Sequence, residues 1–203
     1  MKKLILISLF ILAGCTEPPA PLKRVGIVLD LTVKSKVGII NKLDKVAELI
    51  FATKALELRN TKITIYFVDQ NGTGLGSDLG HVFHSTRNGR LEFNRSLEIL
   101  DLNLQAVRDR ILNDETNYGN TLLISPIREA LSENQRVHII SDFLIVDKYR
   151  NMERGRFGKQ IDLTNFSKNK EIQLHFVAPK RMGYKSKDKL KKFWTVAFFG
   201  HNK

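Results

Sequence analysis

The chain has 203 residues, a formal charge of +12 at neutral pH and a single cysteine. That length fits one domain with a sizeable core, and one cysteine excludes an internal disulfide, so stability has to come from packing. A balance this basic favours polyanionic neighbours such as acidic lipid headgroups, acidic glycans or nucleic acid.

The first fifteen residues, MKKLILISLFILAGC, combine two lysines, an apolar run from Leu4 to Leu12 and a small-residue exit, the layout of an export signal. The run is shorter than the roughly 20 residues that a bilayer span requires. Its end, Leu12-Ala13-Gly14-Cys15, resembles the bacterial lipobox. The resemblance implies that residues 1–14 are a lipoprotein signal peptide and that Cys15 is acylated as the mature first residue. Acyl chains anchor through about 0.8 kcal/mol per buried methylene. Residues 15–23 then form the lipidated Cys15 and an extended tether, since TEPPAPLK holds three of the chain's five prolines and no periodic apolar pattern. Lipidation implies the bacterial cell envelope. Thr16 is not the aspartate that resembles an inner-membrane retention signal, which favours the outer membrane where there are two.

The domain is expected over residues 24–203. Strand-like runs rich in branched and aromatic residues occur at Val25 to Leu29, Ile63 to Val68, Val137 to Ile140 and Ile172 to Val177. Between them, apolar residues recur at three- and four-residue spacing from Val37 to Leu58, the mark of an amphipathic helix. Asp101 to Leu112, Ser125 to Leu131 and Lys187 to Phe198 read the same way. Strands alternating with helices predict an α/β open three-layer sandwich, a mostly parallel central sheet with helices on both faces. Asn88-Gly89, set between two alternating runs in VFHSTRNGRLEF, predicts an antiparallel hairpin at the sheet edge.

In such folds ligands bind beyond the carboxyl ends of the strands. Asp30 and Thr32 follow the first strand, Asp142 follows VHII after one serine, and Thr121 precedes a short helix in NYGNTLLISPIREAL. Three separated segments therefore bring oxygen ligands toward one edge, a set suited to a small hard cation such as Mg²⁺. Each residue also has an ordinary reading as a cap of a turn or helix.

These motifs, Asp30 and Thr32 in DLTVK, Thr121 in GNT and Asp142 in ISDF, resemble the metal-ion-dependent adhesion site of the von Willebrand factor type A (vWA, integrin I-like) domain. The resemblance covers roughly residues 24 to 200. It implies a protein-binding domain in which an acidic side chain of the partner completes the coordination of a bound divalent cation. Two positions depart from the family pattern: Lys34 stands at the usual second hydroxyl, and Phe143 where glycine often follows the last aspartate. A lysine beside two carboxylates can neutralise them in place of a metal, since opposite charges at about 4 Å attract by about 4 kcal/mol at an effective dielectric of 20. Alternatively its stem carries the charge outward, with Ser35 offering a shifted oxygen.

The reading favoured by the residues is a non-enzymatic envelope protein that binds another protein through the Asp30, Thr32, Thr121, Asp142 edge, in the setting of a secretion or conjugation assembly. One alternative is a metal-dependent phosphoesterase with Asp30 as nucleophile, although a second carboxylate two residues on is replaced by Thr32. Another is a metal-free scaffold that uses a basic face. The densest basic stretch holds Lys180, Arg181, Lys185, Lys187, Lys189, Lys191 and Lys192. It suits an anionic surface and lacks the interleaved aromatics of a single-strand nucleic-acid binder.

The remaining motifs argue against other chemistry. Gly72-x-Gly74-x-Gly76 follows a strand without opening a helix, which speaks against a dinucleotide site. No Gly-x-Ser-x-Gly elbow is present. The five histidines, His81, His84, His138, His175 and His201, lack zinc spacing apart from His81 and His84, which would point differently on a strand. They read as structural.

Overall fold

The computed structural model describes residues 22–32, 36–51, 61–68, 82–84, 90–113, 123–145, 149–177 and 184–200. In chain order these form β1 (Lys23–Asp30), α1 (Lys36–Phe51), β2 (Thr61–Val68), β3 (Val82–His84), α2 (Arg90–Asn113), α3 (Ile124–Glu133), β4 (Arg136–Ser141), a 3₁₀ turn (Met152–Arg154), α4 (Thr164–Ser167), β5 (Glu171–Phe176) and α5 (Tyr184–Phe199). The sheet order is β3-β2-β1-β4-β5. Strands β1, β2, β4 and β5 are parallel, and β3 runs antiparallel to β2.

Strand β1 lies at the centre because it can be buried on both faces. Ile27, Val28 and Leu29 are buried in succession, as parallel strands covered on both sides require. On one face α1 and α2 bring Ile39, Leu43, Val46, Leu100, Leu104 and Val107 onto Ile27, Leu29, Ile63 and Ile65. On the other, α3 and α5 bring Ile127, Ala130, Leu131, Trp194 and Phe198 onto Val28, Val137 and Ile139. The expected α/β architecture, with a parallel sheet between helices, is therefore observed.

The expected hairpin across Asn88-Gly89 is not formed. Its second arm belongs to α2, which begins at Arg90 and runs 24 residues. Leu97, Leu100, Leu104 and Val107 pack at helical spacing on the core, and burial of that stripe outweighs a local turn preference. The first arm survives as β3, with Val82 opposite Thr64 and His84 opposite Lys62. The segment around Gly72, Gly74 and Gly76 lies outside the described residues.

One glycine fixes how α3 meets the sheet. A Cβ on Gly26 would stand 2.8 Å from Asn134 Nδ2, too close for a real contact. Asn134 uses that amide to close the end of α3, donating to Ala130 O at 2.9 Å and to Tyr66 Oη at 2.9 Å. The turn that leads from α3 into β4 is held there, at the amino end of β4.

Candidate functional site

The carboxyl edge of the sheet is built by strand register. Leu29 of β1 pairs with Ile140 of β4, so the next residues, Asp30 and Ser141, leave the sheet side by side. Ser141 Oγ donates to Asp30 Oδ2. Two residues on, Thr32 turns back and donates both its backbone N–H and its hydroxyl to Asp30 Oδ1. A fourth donor comes from α1, where Lys42 Nζ lies 3.0 Å from Asp30 Oδ2 with both side chains at 0% exposure. The carboxylate thus has about as many donors as its two oxygens have lone-pair directions.

Burial by itself pushes the Asp30 carboxyl up, but the Lys42 ammonium and the hydrogen bonds from Ser141 and Thr32 override it and hold the group below the ordinary carboxylate range. The pair is consequently charged, and each ion compensates the other in a region where a lone charge would be very costly.

Asp142 sits on the same edge at 8% exposure. Its Oδ1 accepts the Leu144 backbone N–H at 3.1 Å, a turn-capping contact. Phe143 adopts the left-handed conformation with φ 60°, the geometry for which glycine would be the cheapest residue. Three contacts hold it there. Its N–H donates to Ser141 Oγ at 2.7 Å, its carbonyl accepts Trp194 Nε1 at 2.9 Å, and its ring packs 4.3 Å from the Phe176 ring, centroid to centroid. The departure from glycine is thus accommodated by core packing.

Of the residues expected from sequence, Asp30 and Thr32 come together with Ser141, and Asp142 adjoins them along the chain. Thr121, Lys34 and Cys15 lie outside the described residues. The cation that meets Asp30 is Lys42, a residue outside the sequence motif. Its signal was present: Ile39, Lys42 and Val46 follow helical spacing along a buried stripe, so Lys42 occupies a core position of its helix. In the basic stretch, Lys189, Lys191 and Lys192 of α5 are exposed and Lys187 is half-buried. Lys191 Nζ lies 5.9 Å from the centroid of the Phe176 ring. Lys180 and Arg181 lie outside the described residues, as does the side chain of Lys185.

A Mg²⁺ ion does not fit Asp30 as it stands, because the ion would have to displace the Lys42 ammonium and at least one hydroxyl. Among the described residues no group of three or more His, Cys, Asp or Glu side chains could hold a metal. As an attacking nucleophile Asp30 is equally engaged, with 0% exposure and both oxygens hydrogen-bonded. No helix among the described residues is long and apolar enough to cross a membrane. Compared with protein-family models, with curated proteins and with solved structures, the chain matches none.

Proposed function

We propose that the protein is a lipid-anchored envelope protein whose vWA-like domain binds a protein partner as a metal-free scaffold, with Lys42 in the role of the divalent cation. The observation that carries this reading is the fully buried contact of Lys42 Nζ with Asp30 Oδ2 at 3.0 Å. In the family that the DLTVK, GNT and ISDF segments resemble, a metal at this edge waits for the partner's carboxylate. An ammonium that is already neutralised and sealed off offers no such open coordination position, so contacts fall to the surrounding surface. The exposed lysines of α5 supply a basic face for it. The export signal and lipobox resemblance of residues 1–15 support membrane anchorage through Cys15. No covalent chemistry is assigned to the edge.

The test is mild cross-linking of the membrane-anchored protein with and without EDTA, followed by recovery of the partner. The same partner should be recovered in both, and binding should weaken steeply with salt, since exposed charges are screened beyond about 8 Å at physiological ionic strength. Calorimetric titration of the parent protein with Mg²⁺ should give heat no different from buffer. One-site Mg²⁺ binding, together with loss of the partner in EDTA, would restore the cation-bridged reading.

A further inference from the structure

The two described histidine side chains meet. Strands β4 and β5 pair with His138 opposite Gln173 and Ile140 opposite His175, so His138 and His175 are diagonal neighbours on one face of the sheet. Their rings stand nearly parallel, at 21° with centroids 5.4 Å apart, and His138 Nδ1 lies 3.1 Å from His175 Nε2. Both side chains are half-buried on the bodies of the strands. His138 precedes Ser141 by three residues, so the pair is separate from the Asp30 edge.

We propose that His138 and His175 form a two-imidazole site for a borderline divalent cation, Zn²⁺ or Cu²⁺, with water completing the coordination. Two nitrogens each about 2.0–2.1 Å from a common ion stand about 2.9 Å apart at a right angle and about 3.3 Å apart at the tetrahedral angle. The observed 3.1 Å falls between these, but 3.1 Å plus two ring radii of about 1.15 Å equals the 5.4 Å between centroids, so the nitrogens point straight at each other and each ring turns by about 40° to aim its lone pair at a common ion. The strand register places the two side chains side by side beforehand, which lowers part of the ordering cost of binding.

The surroundings admit a dication. Arg136 faces His138 but is paired with Glu171 at 2.7 Å, and Lys45 faces His175 but is paired with Glu48 at 2.7 Å. Each positive neighbour is therefore offset by a carboxylate. Burial also pushes both imidazoles below the ordinary histidine range, His138 to about 4, so protons do not compete with a metal near neutral pH. Imidazole ligands select Zn²⁺ and Cu²⁺ over Mg²⁺, which takes oxygen.

The experiment is calorimetric titration of the full chain with Zn²⁺, Cu²⁺ and Mg²⁺, with His138→Gln and His175→Gln beside the parent. Each substitution should weaken Zn²⁺ and Cu²⁺ binding by about tenfold or more, at least what loss of an outer-shell partner costs, and Mg²⁺ should give no heat at this site. Imidazole NMR of the parent gives a readout that needs no variant: Zn²⁺ should shift the ring resonances of these two histidines together. Equal affinity in the parent and both variants overturns the proposal, as does Zn²⁺ that moves only His81, His84 or His201, or none.

Discussion

Two ion pairs in this domain have similar contact distances and opposite surroundings. Lys42 and Asp30 meet at 3.0 Å with both side chains fully buried, whereas Arg136 and Glu171 meet at 2.7 Å with each side chain 49% exposed. The shorter contact is the weaker one. At Asp30 each charge has lost its water and depends on its partner, while at Arg136 water and salt substitute for whichever partner is removed. One sheet thus carries a pair that fixes the junction of β1, β4 and α1, and another that only decorates the open side of β4 and β5.

The largest effect expected from this difference is at Lys42. Lys42→Ala should cost about 3–5 kcal/mol, because it strands the Asp30 carboxylate without a counter-charge. Urea denaturation followed by circular dichroism measures it. Adding Asp30→Leu to a Lys42→Met variant should recover only part of that loss, since it removes the stranded charge but leaves the Ser141 hydroxyl and the Thr32 N–H and hydroxyl without their acceptor. A loss under about 1 kcal/mol in the single variant would mean that Ser141 and Thr32 alone satisfy the carboxylate.

Much of this junction could be read from sequence, and the missing part has a physical cause. VGIVL and VHII announce buried strands, and each is followed within two residues by an aspartate, so the shared edge of Asp30 and Asp142 follows from parallel pairing. Lys42 is harder to read because a lysine is solvated by default, although its phase between Ile39 and Val46 places it inward. Ser141 reads only as a spacer, since the sequence does not show that its hydroxyl turns onto Asp30. The hairpin failed for the opposite reason. Asn-Gly is a strong local signal, and burial of the longer leucine stripe that builds α2 outweighs it. Thr121 is the one expected ligand on which the described residues bear least, because it lies outside them.

A middle-sized effect separates the two regions by pH. Asp30 has its folded value depressed, so its contribution is complete above the unfolded value of 3.8 and is lost only as pH falls through the folded value. His138 acts earlier. Burial pushes it down to about 4 from 6.5, with His175 and Arg136 adding to the shift and Glu171 opposing it. As pH falls from 6.5 toward 4, the unfolded chain takes up a proton that the fold refuses, so stability should decline across that window. His175 is lowered by burial and by Lys45, against Glu48, and contributes with the same sign. Denaturant midpoints recorded between neutral pH and pH 4 should show the decline in the parent, and a smaller one in His138→Gln. An unchanged slope in that variant would move the effect onto other groups.

The smallest expected effect is at the exposed pair, and it is the sharpest check on the role of environment. Arg136→Ala should cost between about 0 and 1 kcal/mol. A double-mutant cycle of Arg136→Ala with Glu171→Ala should give a coupling in that range that fades in 1 M salt, where screening acts over about 3 Å. The same salt should leave the coupling between Lys42 and Asp30 unchanged, because ions cannot enter the space between two fully buried groups. If the exposed coupling survives high salt, the contact is held by more than charge. The candidate is then Gln173, whose Nε2 donates to Glu171 Oε1 at 3.3 Å, and Gln173→Ala should abolish whatever coupling salt leaves behind.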